Sequence, residues 1–339
     1  MRRSFALVPV LGLMLAGLAS AEATLTLHVQ LSGDPARAFA VENLAGSMRI
    51  TATDDANVTA VATLHAESDE LARSVRFEQV TNEKGLPTLR VRYPVDRHRD
   101  YRYPGSGSGG FWDGLFGGNR IKYDGALVGV NGSRGVLLYA DVEVRVPRRP
   151  IDAVFKNHVG PLSADGIEGH IRLDAGSGNI TAQRMKGEVT ADTGSGSITA
   201  TDLAGSFVCD TGSGNCEVSR FAGEALKCDT GSGSVRLEDA SARRISADTG
   251  SGSIELEAAG ARLRVVKADT GSGSVKLRLP GDTGFELRAD TGSGDIVSRF
   301  PDAQAIVQRK EVVGYRRGDA RVRITVDTGS GDVVVEPAR

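Results

Sequence analysis

Over the second half of the chain, apolar residues recur at every second position in short runs separated by Gly-rich turns. Three positions before a recurrent Asp stand Val189, Phe207, Leu226, Ile245, Val266 and Leu287; one position before it stand Ala191, Cys209, Cys228, Ala247, Ala268 and Ala289. Six positions after it come Ile180, Ile198, Cys216, Val235, Ile254, Val275, Ile296 and Val333, followed two later by Ala182, Ala200, Val218, Leu237, Leu256 and Leu277. A strand alternates its side chains between two faces, so each run predicts a strand with one inward, apolar face. Thr190, Lys227, Ser246, Lys267 and Arg288, with Val208 as the exception, and then Thr199, Glu217, Arg236, Glu255 and Lys276 fill the outward positions. The last column alternates in sign from Glu217 to Lys276, which favours stacked neighbours.

The turn itself is Asp-Thr-Gly-Ser-Gly, beginning at Asp192, Asp210, Asp229, Asp248, Asp269, Asp290 and Asp327, with Asp174-Ala-Gly-Ser-Gly as a variant. From Asp174 the successive spacings are 18, 18, 19, 19, 21, 21 and 37 residues. An interval this regular predicts an all-β, single-stranded parallel β-helix, a β-solenoid with rungs of 18–21 residues, wound right-handed. Ile167-Glu168-Gly169, Met185-Lys186-Gly187, Leu203-Ala204-Gly205 and Phe221-Ala222-Gly223 mark a second corner. The long final spacing predicts an insertion at 299–320 before Arg321 to Val335 completes the last rung of a solenoid domain spanning 140–339.

The first half is less regular. Residues 22–92 read as an amino-terminal cap with a degenerate rung, in which Asn43-Leu44-Ala45-Gly46 makes the corner and Met48 to Thr53 and Val58 to Leu64 make strands. A short helix is predicted over 67–74 and strands near 75–81 and 87–93. Residues 93–139 break the pattern: they are Gly-rich at 105–110 and basic at Arg97, Arg99, Arg102, Arg120 and Lys122. Their aromatic rings, Tyr101, Tyr103, Phe111, Trp112 and Phe116, make them the candidate ligand-binding segment. The alternatives are a lid packed over the end of the solenoid and plain disorder at the Gly-rich tip.

Arg2 and Arg3 precede an apolar stretch from Phe5 to Leu18 and the small residues Ala19-Ser20-Ala21, the order of a secretory signal over 1–21 cleaved after Ala21. A periplasmic or extracellular product is expected, with no later apolar run of the roughly 18 residues that span a bilayer. The formal charge of −2 becomes −4 without Arg2 and Arg3. No basic field is left to hold nucleic acid.

Asp-Thr-Gly-Ser is also the local signature of aspartic proteases, which need two such loops facing one another to share a proton. Seven copies in one column do not converge in that way. Carboxylates about 4.8 Å apart repel by about 1 kcal/mol per pair even in water. The turn is therefore expected to donate its N–H groups to each Asp, which makes Asp174, Asp192, Asp210, Asp229, Asp248, Asp269, Asp290 and Asp327 structural residues. Calcium is the alternative, although only Asp295 and Asp332 fall near the acidic position of the calcium-binding nonapeptide repeat. His28, His65, His98, His158 and His170 lack metal-ligand spacing, and the turn serines lack a recurrent His partner. No catalytic residue, metal or cofactor is expected. Cys209 and Cys228 share a column on adjacent rungs, which allows a disulfide between them; the alternative is three buried thiols, Cys216 included.

The segment Tyr139-Ala-Asp-Val-Glu-Val-Arg-Val-Pro147, leading into the Asp-Thr-Gly-Ser-Gly units, resembles the "putative adhesin" family of bacterial exported β-strand-repeat proteins, from about Ala140 to Val335. The resemblance implies a domain of unknown function with an adhesive label and transfers no catalytic residue. The expected function is a non-enzymatic cell-envelope scaffold or adhesin that binds a surface polymer or protein and can self-associate through its ends. A polysaccharide-active β-helix enzyme and a calcium-dependent binding module are the alternatives.

Overall fold

The computed structural model describes residues 10–12, 23–31, 38–105 and 120–338. Apart from the strand Val10–Gly12, the expected signal segment lies outside the described residues. The protein is all-β, with one short helix among the described residues, and divides into two units, 1–179 and 180–339.

In the second unit the strands stack in parallel and in register. Ile198–Thr211 pairs with Cys216–Thr230, and that strand with Val235–Thr249. The inward columns are buried, from Val189, Phe207, Leu226 and Ile245 on one side of the turn to Ile198, Cys216, Val235 and Ile254 on the other, except on the Asp290 rung, where Ala289 and Ile296 are half-buried. Burying one such aliphatic side chain contributes about 1.5–3 kcal/mol, and this row of small and medium residues replaces a globular core. The second corner lies one residue before the apolar-x-Gly signature. Arg184, Asp202, Arg220 and Asp239 take left-handed backbone there, with φ of 50–58°. Asp202 accepts two hydrogen bonds from the Arg220 guanidinium, at 2.6 and 2.9 Å, one rung along.

The stacking order departs from the chain order at the carboxyl end. Val265–Thr270 pairs with Val322–Thr328, and Val322–Thr328 pairs in turn with Phe285–Thr291. The final strands, Val322–Thr328 and Val333–Pro337, are thus threaded between two earlier rungs. Within 299–320, Gln304–Gln308 and Glu311–Arg317 form a hairpin that adds antiparallel to Phe285–Thr291. Because this hairpin occupies the outer edge of that rung, the returning chain takes the inner one.

In the first unit, Phe39–Ala45 and Met48–Thr53 pair in parallel with Ile151–Val159 and Leu162–Asp165. On its other side this rung meets Pro87–Arg92 and Val136–Pro147. The sheet then changes sense, since Val136–Pro147 runs antiparallel to Val58–Ala66, and Val58–Ala66 antiparallel to Ala23–Leu31. The helix Asp69–Arg73 is capped by Ser68, whose side chain accepts the Leu71 N–H. No helix among the described residues is long and apolar enough to cross a membrane.

Candidate functional site

The Asp-Thr-Gly-Ser-Gly turns of the second unit form one column, with Asp192, Asp210, Asp229, Asp248, Asp269, Asp327 and Asp290 in register in that order. The hydrogen bonds give Thr a closing role in these turns. Gly233 N–H donates to Thr230 Oγ1 at 3.1 Å, and Thr230 Oγ1 donates to Gly214 O of the preceding rung at 2.7 Å. The pattern repeats at Thr211, Thr249, Thr270 and Thr328. These five threonines are buried. A hydroxyl serves here because it donates and accepts at once, joining two glycine backbones that are buried or half-buried. The glycines are needed for close approach: a Cβ on Gly233 would run into Gly214 O, and one on Gly231 into Gly212 O.

The Asp side chains form an acidic row on the outward face. Partial burial, and then the charges of Asp229 and Asp269, push the Asp248 carboxyl above the usual carboxylate range. Asp174, in the first unit, is compensated by Arg172 at 3.7 Å and Lys156 at 3.9 Å.

The cysteine pairing also differs from the expectation. Cys209 and Cys228 are in register on adjacent strands, but the disulfide joins Cys209 to Cys216, with Cα atoms 6.5 Å apart, and Cys228 is a free, buried thiol. Side-by-side residues of parallel strands project their Cβ atoms in the same direction, whereas Cys209 and Cys216 point inward from the two strands flanking one turn and converge. Burial, and then the charge of Asp229, push the Cys228 thiol well above the ordinary range. That makes it an inert core residue.

The first unit has a turn column of its own, with a different sequence. Glu42 and Lys156 are in register, as are Lys156 and Asp174, so these three stand where Asp recurs in the second unit. Asn43 and Asn157 take the place of Thr. Asn43 Nδ2 donates to Asn157 Oδ1 at 3.0 Å and to Ala140 O at 2.9 Å, and Asn157 Nδ2 donates to Gly46 O at 2.8 Å. Residues 43–46 therefore occupy the first corner of their rung, a match hidden from sequence because only the last Gly of the motif is shared.

Around Glu42 lies a half-buried ion network. Arg90 Nε donates to Glu42 at 2.7 Å and its NH1 to Asp124 at 3.0 Å, while His158 Nε2 lies 2.9 Å from the other Glu42 oxygen. Arg92 joins Asp124 at 3.4 Å and Glu78 at 2.7 Å. Burial pushes the Glu42 carboxyl upward, but His158 and Arg90 outweigh it and hold it below the usual range. Every acid here is matched to a base, which suits a structural clasp.

The candidate ligand-binding tyrosines are buried in this same unit: Tyr101 is 0% and Tyr103 8% exposed. Tyr93 packs edge-on against Tyr101 at 5.5 Å and Tyr123 at 6.0 Å, and the Tyr123 hydroxyl donates to Val91 O at 2.6 Å. Their rings serve as interior anchors, and this burial corrects their reading as exposed recognition rings. Phe111, Trp112 and Phe116 lie outside the described residues.

Two constellations resemble catalytic ones. Asp141 accepts hydrogen bonds from the Ser47 hydroxyl at 2.6 Å and lies 3.2 Å from His65 Nε2. Burial raises its pKa, but the bonds from His65 and Ser47 outweigh that and lower it, so this carboxylate is a poor base for activating the serine. An open depression of about 200 Å³ beside the helix is lined by Glu67, Ser68, Glu70, Arg97 and His98. There Ser68 is used as the helix cap and Glu67 accepts the Leu137 N–H.

Parallel rungs stacked in register, with side-chain ladders at their turns, define an all-β protein of solenoid-like architecture. The family model described as "Toastrack DUF4097" matches residues 139–336, and the chain belongs to that family. The match begins at Tyr139, where the segment that carries the sequence resemblance begins. Two solved structures are similar at 12% identity. One is a "putative cell adhesion protein" from Clostridium sporogenes ATCC 15579, with a TM-score of 0.27, covering 94% of this chain and 100% of that one. The other is a "putative lipid binding protein" from Parabacteroides distasonis ATCC 8503, with a TM-score of 0.40, covering 91% and 96%. No curated protein matches the sequence.

Proposed function

We propose that the protein is an exported, non-enzymatic scaffold of the cell envelope that binds a surface polymer or protein through the segment following Tyr103. The observation that carries this reading is the repetition of one hydrogen-bonded unit, Thr to two glycine backbones, along the turn column of the second unit. Catalysis needs unlike groups to converge on one point. A row of identical turns instead supplies stiffness and a repeating face. We also take the winding to be right-handed, as parallel strand crossovers are.

The buried tyrosines fit this role as anchors. Tyr101 on one side and Tyr123 on the other are buried anchors at the two ends of the segment that carries Phe111, Trp112 and Phe116 in sequence. Localisation in the periplasm or outside the cell follows from the expected cleavage after Ala21.

The test is binding of the mature chain to isolated envelope polymers and membranes, with Trp112→Ala and a deletion of 106–119 as comparisons. The wild type should bind, and both variants should lose binding while keeping the β-sheet circular dichroism of the parent. Turnover of a glycan, binding that a calcium chelator abolishes, or equal binding by the deletion variant would each overturn the proposal.

A further inference from the structure

The strand Gln304–Gln308 presents an open edge. It pairs antiparallel with Glu311–Arg317, and no other described strand is in register with it. An open edge offers N–H and C=O groups to any extended chain, and proteins ordinarily blunt such edges with Lys, Pro or a bulge. This one carries no charge and no Pro, residues 303–308 reading Ala-Gln-Ala-Ile-Val-Gln, and the bulge in its pairing with Glu311–Arg317 places the extra residue, Val313, on the inner strand. Val307 is 57% exposed and its register partner Val312 37%, so the hairpin shows an apolar pair on one face.

The strand is also complementary to itself when reversed, which is what a two-fold contact requires. Setting Ile306 opposite Ile306 of a second copy places Gln304 opposite Gln308 and Ala305 opposite Val307. The same register brings Asp302 toward Lys310 of the other copy, and symmetry repeats this pairing at the far end. Asp302 remains 60% exposed while it pairs with Arg317, so it can take a second cation. One face of the joined sheet would then carry Val312 and Val307 of one copy in a row with Ala305 and Tyr315 of the other, since Ala305 and Tyr315 are already in register.

We propose that the protein forms a two-fold dimer by antiparallel pairing of Gln304–Gln308 with its equivalent in a second copy. The inference goes beyond the envelope-scaffold reading and does not rest on it, because its test contains no ligand.

Sedimentation equilibrium of the mature chain should show a reversible dimer. Val307→Lys, at an exposed position, should weaken it at least about tenfold by placing a charge on the edge, with circular dichroism unchanged. In a second experiment Ile306→Cys should give a disulfide-linked dimer on mild oxidation, because the residue faces itself across the two-fold axis, and Gln304→Cys should not. A wild type that stays monomeric at about 100 µM, a dimer unaffected by Val307→Lys, or equal cross-linking of the two cysteine variants would overturn the proposal.

Discussion

Asp327 pairs in register with Asp269, and so the last strands of the chain are interior members of the second unit's stack. Val322, Ile324, Val326, Val333 and Val335 are all buried there. Deleting 321–339 would remove five buried aliphatic side chains, each worth about 1.5–3 kcal/mol, and open the facing edges of two rungs. The expected result is loss of cooperative unfolding in the second unit, read by urea denaturation. Deleting only Ala338 and Arg339 should leave the transition in place.

The Thr ladder predicts that the hydroxyl matters more than the acid beside it. Thr230→Val keeps the side chain's shape but takes this partner from the half-buried Gly214 O and the buried Gly233 N–H. The cost should be about 2–4 kcal/mol, since each unsatisfied buried group costs about 1–3 kcal/mol. Asp229→Asn should change stability far less. Equal losses for the two variants, measured as shifts in urea midpoint, would return the structural role to the acid.

The acidic row should be a point of repulsion that acid relieves. The Asp248 carboxyl is raised above its ordinary value, so the folded protein holds that proton more tightly than the unfolded chain. Stability from this site therefore falls as pH rises from the ordinary carboxylate value through the raised one. Asp248→Asn should raise the melting temperature at neutral pH, and the gain should shrink in high salt and as pH drops into that window. A variant less stable than the wild type in low salt would show that the row is held by a bound cation.

Glu42 has the opposite sign. Its carboxyl is lowered by His158 and Arg90 against the upward push of burial, so its contribution is complete above the ordinary carboxylate value and is lost as pH falls through the lowered one. Glu42→Gln should cost about 1.5–3 kcal/mol at neutral pH, the scale of a charge-assisted hydrogen bond. The gap between variant and wild type should close in acid. A gap independent of pH would assign the loss to packing.

Peptide mapping without reduction should find Cys209 linked to Cys216, and Cys228 unmodified by a thiol reagent until the protein is unfolded. Cys228→Ala should leave the linkage intact. A fragment joining Cys228 to either of the others would overturn this pairing.

Much of the fold was legible because a strand writes its inward face at every second residue. The apolar columns around each Asp and the register of Glu217 with Arg236 followed from spacing alone. In the first unit only the Asp174 turn was legible, and those at Glu42 and Lys156 were not. Asn43 and Asn157 bind backbone carbonyls as Thr does but by a different chemistry, and only the last Gly of the motif is left in common. The tyrosines misled for a related reason: an aromatic ring with a polar tip suits a ligand surface and a buried anchor equally, and only burial decides.

By itself, the sequence determined the rung: its length, its inward columns, its Gly-rich turn and its place in an all-β stack. Local sterics and period-two alternation act within about twenty residues and leave a mark at each one. Only the tertiary structure decided which rung lies next to which, and which cysteine meets which. In-register parallel rungs offer nearly equivalent edges, so the neighbour of Asp269 could have been Asp290. It is Asp327, because the hairpin of residues 304–317 closes the outer edge of the Asp290 rung and leaves the returning chain the inner one.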